Sequence, residues 1–247
     1  MKLDETGEIA VGVIADAAGS APETLAALGR LRAKLTHVDL VISLGGMGAT
    51  RAELEATFVA LAEHAAWPLV ALEGDLEPVP AQTEAIATAR RRGAIVIDGR
   101  LVQRIELASA TIALVPGSGA ASRLVAGAEG CLHRAEDVAA AFADLTPRAG
   151  LRILASADPP RHTERGEPTG DLAITVSAGQ QIDIALHGPT NGSATPARRG
   201  HRDGTAVPLT PGSIDATPRC PGSRRSPTAG ILTLQGSAWT WTPIGEN

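Results

Sequence analysis

Short apolar runs alternate with amphipathic stretches through the N-terminal part of the chain. Residues 9–15 (IAVGVIA) have the pattern of a buried strand. Ser20-Ala21-Pro22-Glu23 then has capping-box spacing with proline in the first turn. Leu25, Leu28, Leu31 and Leu35 follow as a helical stripe. Residues 38–44 (VDLVISL) read as a second strand ended by Gly45-Gly46, and Thr50-Arg51-Ala52-Glu53 repeats the capping spacing ahead of a helix face of Leu54, Phe58, Leu61 and Ala65. A third strand at 69–72 closes at Gly74. The helix expected at 81–92 has a basic end that suits its C-terminal dipole. A fourth strand is expected at 94–97. Strands joined by helices of this length predict parallel β-α-β units with both sheet faces covered.

The second half changes character. Residues 102–107 and 111–115 are spaced like a hairpin, 136–145 reads as a helix, and 152–156, 173–176 and 182–186 are strand candidates. Residues 188–228 are rich in Pro, Gly, Ser, Thr and Arg and are expected to be irregular. A last pair of strands is expected at 231–234 and 238–242. Trp239 and Trp241 would share one sheet face there, where core or sheet-end packing is favoured over an interface anchor. There is no internal repeat, and residues 1–247 read as one domain.

Composition refines this picture. At 44% hydrophobic residues the chain can bury a sizeable core, but aromatics are only 2% and Tyr is absent, so Ala, Leu, Ile and Val must fill it. The formal net charge of -5 gives no general attraction to nucleic acid or to an anionic membrane. Cys131 and Cys220 lack metal-ligand spacing, and a pair of reduced thiols is expected rather than a disulfide. The N-terminus has no basic-then-apolar signal, and no apolar run approaches the roughly 20 residues that span a bilayer. A soluble, cytoplasmic protein is expected.

Ligands of open α/β sheets bind at the carboxyl ends of strands, which directs attention to Asp16, Gly45-Gly46, Gly74 to Glu77, Asp158 and His187 to Asn191. The order of these segments resembles the calcineurin-like metallophosphoesterases, in their compact YfcE/Vps29-like branch. That family carries D-x-H, G-D, G-N-H-[DE], a lone His and G-H-x-H on successive loops. Here IADAAGS (14–20) sits at the first, VISLGG (41–46) at the second and EGDLE (73–77) at the third. ILASADPP (153–160) resembles the strand ending in the lone His, LHGPTNG (186–192) the last turn, and Pro211-Gly212-Ser213 the N-P-G-S that follows it. The resemblance implies an α/β fold: a four-layer α/β/β/α sandwich of two mixed sheets flanked by helices.

The departures matter as much. Asp16 remains, but Ala18 stands where the resemblance implies a paired His, and Gly46 where it implies the Asp that bridges two metals. Asp75 stands for Asn, Leu76 for a His, Ala157 for the lone His, and Pro189 and Asn191 for both histidines of the last turn. Two ions about 3.5–4 Å apart need a bridging carboxylate and several N/O ligands. The expectation is therefore a catalytically inactive pseudoenzyme with no resident cofactor, working as a scaffold or interaction subunit for an unidentified protein partner.

Alternatives stay open. Asp16, Asp75 and Asp158 are remnants able to hold one weakly bound Mn or Mg, as in a reduced phosphoesterase; a non-catalytic small-ligand binder is a third reading. Each acid also has a structural reading: Asp16 as a cap on following amides, Asp75 and Glu77 as solvated turn acids, and Asp158 as a turn residue; His187, which precedes the Gly of the last turn and is not at a ligand position, also reads as structural. Gly117-Ser118-Gly119 could cradle an anion but lacks the Lys and spacing of a phosphate loop. No G-x-S-x-G is present, which disfavours a serine hydrolase. The basic stretch with Arg198, Arg199, Arg202, Arg219, Arg224 and Arg225 has no interleaved aromatics for base stacking.

Overall fold

The computed structural model describes residues 7–143, 150–159, 162–164, 167–169, 171, 182–188, 194–202, 206–216 and 227–245. The alternation of apolar runs and amphipathic stretches becomes β1 (Glu8–Ile14), α1 (Pro22–Lys34), β2 (Leu40–Ser43), α2 (Arg51–Ala62), β3 (Leu69–Ala71), α3 (Val79–Arg91) and β4 (Val96–Asp98). β1 to β4 pair in parallel in sequence order. The expected hairpin is β5 (Arg104–Glu106) and β6 (Ala110–Val115), paired antiparallel. Then come α4 (Ala135–Ala143), β7 (Leu151–Ser156), the small pair β8 (His162–Glu164) and β9 (Glu167–Thr169), and β10 (Ile184–His187). β11 (Arg198–His201), β12 (Val207–Leu209), β13 (Thr228–Gln235) and β14 (Ala238–Gly245) complete the described chain.

Seven strands form the first sheet in the order β11-β14-β13-β1-β2-β3-β4, and five form the second in the order β12-β10-β7-β6-β5. Both are mixed. Ile9, Val11, Val13, Ile42 and Val70 of the first sheet meet Ile112, Leu114, Ile153, Ile184 and Leu186 of the second in one buried layer. The other face of the first sheet, with Ile14, Val41 and Leu69, packs on Leu28, Leu31, Leu54, Phe58 and Ile86 of α1 to α3. Val138 of α4 covers the outer face of the second sheet at Ala113, Val115 and Leu154. Alternate side chains of a strand point to opposite faces, so both faces being apolar explains why these strands read as continuous apolar runs. The layers are therefore α/β/β/α, as expected.

Two sequence expectations need correction. The region 188–228 is not uniformly irregular: β11 pairs with β14 and β12 with β10, so its described parts extend both sheets. Its Pro and Gly content masked two short edge strands. The two capping-box spacings also behave differently. Thr50 caps α2 reciprocally with Glu53, at 3.3 Å and 3.0 Å, whereas α1 begins with Ala21 at the N-cap and has no side-chain cap. The fixed φ of Pro22 starts that helix one residue too late for the Ser20 hydroxyl to serve it. The strand expected at 173–176 lies outside the described residues.

Trp239 and Trp241 settle in the layer between the sheets at 4% and 0% exposure, as core and not as an interface anchor. Their neighbours are glycines for a steric reason. A Cβ at Gly200 would lie 2.6 Å from the Trp239 ring, and one at Gly230 would overlap Trp241. The Trp241 indole N–H donates to the Thr195 carbonyl at 3.0 Å, so its polar edge is satisfied despite burial. Among the described residues, no helix is long and apolar enough to cross a membrane. Cys131 carries a free thiol; Cys220 lies outside the described residues.

Candidate functional site

The loops after β1, β2, β3, β7 and β10 converge at the carboxyl ends of the strands. There they line a cleft of about 210 Å³ that includes Asp16, Gly45, Gly46, Asp75, Asp158 and Gly188. All three acids singled out as remnants thus meet in one place. Ala157 lines the same cleft. Pro189 and Asn191 lie outside the described residues.

The floor of the cleft is pinned by backbone contacts. Asp16 N–H donates to the Gly45 carbonyl at 2.9 Å and Ala18 N–H to that of Gly46 at 2.8 Å. The Asp16 carbonyl in turn accepts from the Ser213 hydroxyl at 3.0 Å and from the Ile214 and Asp215 amides. The Pro211-Gly212-Ser213 segment therefore clamps the first loop. Asp16 and Ala18 adopt left-handed backbone, at φ 55° and 52°. Asp16 does not act as the amide cap that its position after a strand suggested: no hydrogen bond to its carboxylate occurs among the described residues.

Glu77 is fully buried and is not a solvated turn acid. Its carboxylate accepts from the Met47 amide at 2.5 Å and the Gly74 amide at 2.9 Å, tying the loops after β2 and β3 together. Burial pushes its carboxyl up to about 7 against the pull of those two donors. Asp75 is also shifted up, first by burial and then by the charges of Asp158 and Asp16. His187 is buried, with Nδ1 at 2.8 Å from the Gly188 carbonyl.

Asp158 is the most heavily engaged of the acids and is more than a turn residue. Its Oδ2 accepts from the Ser118 hydroxyl and the Gly119 amide, each at 3.0 Å, and its Oδ1 pairs with Arg123 at 2.6 Å. Gly117-Ser118-Gly119 does cradle an anion, but the anion is the chain's own carboxylate. Arg123 comes from the segment that crosses the cleft, where Val125 and Ala126 donate to the Asp75 carbonyl. Sequence reasoning overlooked Arg123, because an arginine in a turn carries no pattern until its partner is known.

It also overlooked His133 and Asp171. Their ligand atoms and that of Asp158 all lie within 4.8 Å of one another, and all three residues are buried. His133 Nδ1 is 3.0 Å from the Pro116 carbonyl, and Nε2 is 3.2 Å from Asp171 Oδ2. These residues come from the β6–α4 connection, the end of β7 and beyond β9, so no local spacing announces them.

The two mixed sheets, their flanking helices and the loop cluster at the strand ends define the metallophosphoesterase fold. The chain superposes on the protein TT1561 of Thermus thermophilus with a TM-score of 0.61 at 14% identity, covering 97% of this chain and 98% of that one. It also superposes on GAP50, the anchor in the inner membrane complex of Plasmodium, with a TM-score of 0.57 at 9% identity, covering 96% and 84%. A metallophosphoesterase from Sphaerobacter thermophilus matches at a TM-score of 0.42 and 12% identity, covering 97% and 90%. At such identities the likeness is one of fold. No family profile and no curated protein sequence matches the chain.

Proposed function

We propose that this chain is a non-hydrolytic protein of the metallophosphoesterase fold that works by binding a protein partner. The observation that carries this reading is the contact between Gly46 and Asp16. Gly46 has φ 72°, and a Cβ built on it would lie 2.9 Å from Asp16 Cα. A carboxylate bridging two ions has no room at that position unless the backbone moves. Ala18 and Ala157 offer no donor atom and Leu76 only an apolar side chain, so the donors of the cleft do not fit a bridged pair of ions. Arg123 supplies the compensating positive charge instead. A fold freed from hydrolysis keeps its surfaces, and GAP50, an anchor of the same fold, is a precedent for attachment as the remaining task.

The test is hydrolysis of p-nitrophenyl phosphate and its bis-ester by the full chain with excess Mn2+. Turnover is expected to match a protein-free control, and a partner is expected to co-purify from the native host. Turnover abolished by Asp16→Ala would sink the proposal. It would establish the second reading, a phosphoesterase using one ion among Asp16, Asp75 and Asp158, which the convergence of these acids on one cleft favours.

A further inference from the structure

We infer that His133, Asp158 and Asp171 form a buried site for one divalent transition-metal ion, which shares Asp158 with the cleft but draws His133 and Asp171 from outside its lining. The argument begins with the imidazole. A backbone carbonyl only accepts, so the contact of Nδ1 with the Pro116 oxygen at 3.0 Å places a proton on Nδ1. In the neutral ring Nε2 then carries a lone pair, yet it faces Asp171 Oδ2 at 3.2 Å. A lone pair facing a carboxylate at that distance leaves a place for a cation between them, or for a second proton that makes the ring an imidazolium paired with Asp171. A histidine whose Nδ1–H is held by a carbonyl while Nε2 points at carboxylates has the orientation of a metal-ligating ring.

The second observation is the packing around the pair. A Cβ at Gly119 would overlap Asp171 Oδ2 and lie 3.2 Å from His133 Nε2, so only glycine permits this convergence. The Gly119 amide and the Ser118 hydroxyl meanwhile fix the Asp158 carboxylate, and His133 N–H donates to the Ser118 carbonyl. Of about four acceptor sites on a carboxylate, Asp158 uses three, counting Arg123, and keeps one. His133, Asp158 and Asp171 are 6%, 4% and 8% exposed. A cation seated among two carboxylates and an imidazole at such burial gains from attraction that water screens little.

One imidazole and two carboxylates suit Zn2+ or Mn2+ better than Mg2+ or Cu+. Bonds of about 2.0–2.2 Å need only small side-chain rotations from the present spacing. Such an ion would join the β6–α4 connection, the end of β7 and the Asp171 segment. With three protein ligands, a further coordination position would stay open to water.

The test uses the full chain stripped with a chelator and titrated with Zn2+ and Mn2+, followed by calorimetry, thermal unfolding and the electronic spectrum of the Co2+ form. One equivalent is expected to bind and to raise Tm. His133→Ala and the conservative Asp171→Asn should each weaken binding by at least about tenfold, the scale on which even supporting groups act, while Asp16→Ala should leave it unchanged. Nitrogen NMR of the wild-type chain gives a readout independent of variant folding, since the His133 Nε2 resonance should move on adding Zn2+. Absence of a bound ion, or an imidazolium that Zn2+ does not alter, would overturn the inference and make the cluster an ion pair. An ion lost with Asp16→Ala and kept with His133→Ala would overturn it too, by placing the metal in the cleft.

Discussion

Position 46 shows how one residue decides a chemistry. A carboxylate there would put its β-carbon 2.9 Å from Asp16 Cα, on a backbone at φ 72° that side chains rarely adopt. Gly46→Asp is therefore expected to cost about 2–4 kcal/mol, combining overpacking with left-handed strain, and to restore neither Mn2+ binding nor phosphoester hydrolysis. Urea denaturation and the p-nitrophenyl phosphate assay check both halves; a stable, hydrolytic variant would show that the first loop yields easily. Ala18, exposed and at φ 52°, carries the same kind of strain without a packing reason. Ala18→Gly is expected to raise stability by about 0.5–1 kcal/mol, the relief of left-handed backbone less the added entropy of the unfolded chain.

Elements were written in the pattern of apolar positions, and their ends were written less clearly. Ser20 and Thr50 stand in the same four-residue spacing, yet only Thr50 caps a helix. Thr50→Ala is expected to lose about 1 kcal/mol, and Ser20→Ala close to nothing, in parallel denaturation curves. Equal losses would contradict the assigned start of α1. The strands β11 and β12 escaped the pattern for a related reason. Edge strands need few apolar side chains and tolerate Pro208 and Gly200, because their partners β10 and β14 supply the hydrogen bonds.

Across the whole molecule the two sheets enclose acids far from water. Glu73 is buried, and burial is the largest cause lifting its carboxyl to about 8; Arg100 opposes the shift, while Asp98 and Glu77 add to it. Arg100 Nε lies 2.6 Å from Glu73 Oε1 without hydrogen-bond alignment. The neighbouring Cys131 thiol is likewise pushed up to about 11, first by burial and then by Glu73. With Glu77 near 7, two carboxyls hold protons in the folded chain that the unfolded chain releases near the ordinary 4.5. Their contribution is thus fully present below that value and is lost as pH rises through about 7–8. Unfolding free energy is expected to fall between about pH 5 and pH 8.5, with a shallower slope in Glu73→Gln. A rise over that window, or an unchanged slope in the variant, would contradict the assignment.

By itself the pattern of apolar positions determined the parallel β-α-β units with covered faces and the places where loops gather, since apolar periodicity and Gly-Gly stops are local properties of the chain; the four-layer sandwich was implied by the family resemblance. The sequence also brought Asp16, Asp75 and Asp158 forward as a group. The partners of those acids were decided only in three dimensions. Arg123 reaches Asp158 across 35 positions, and His133 meets Asp171 across 38. No periodicity encodes such meetings; they exist because strands distant in the chain end side by side, and because Gly119 has no β-carbon to keep His133 and Asp171 apart.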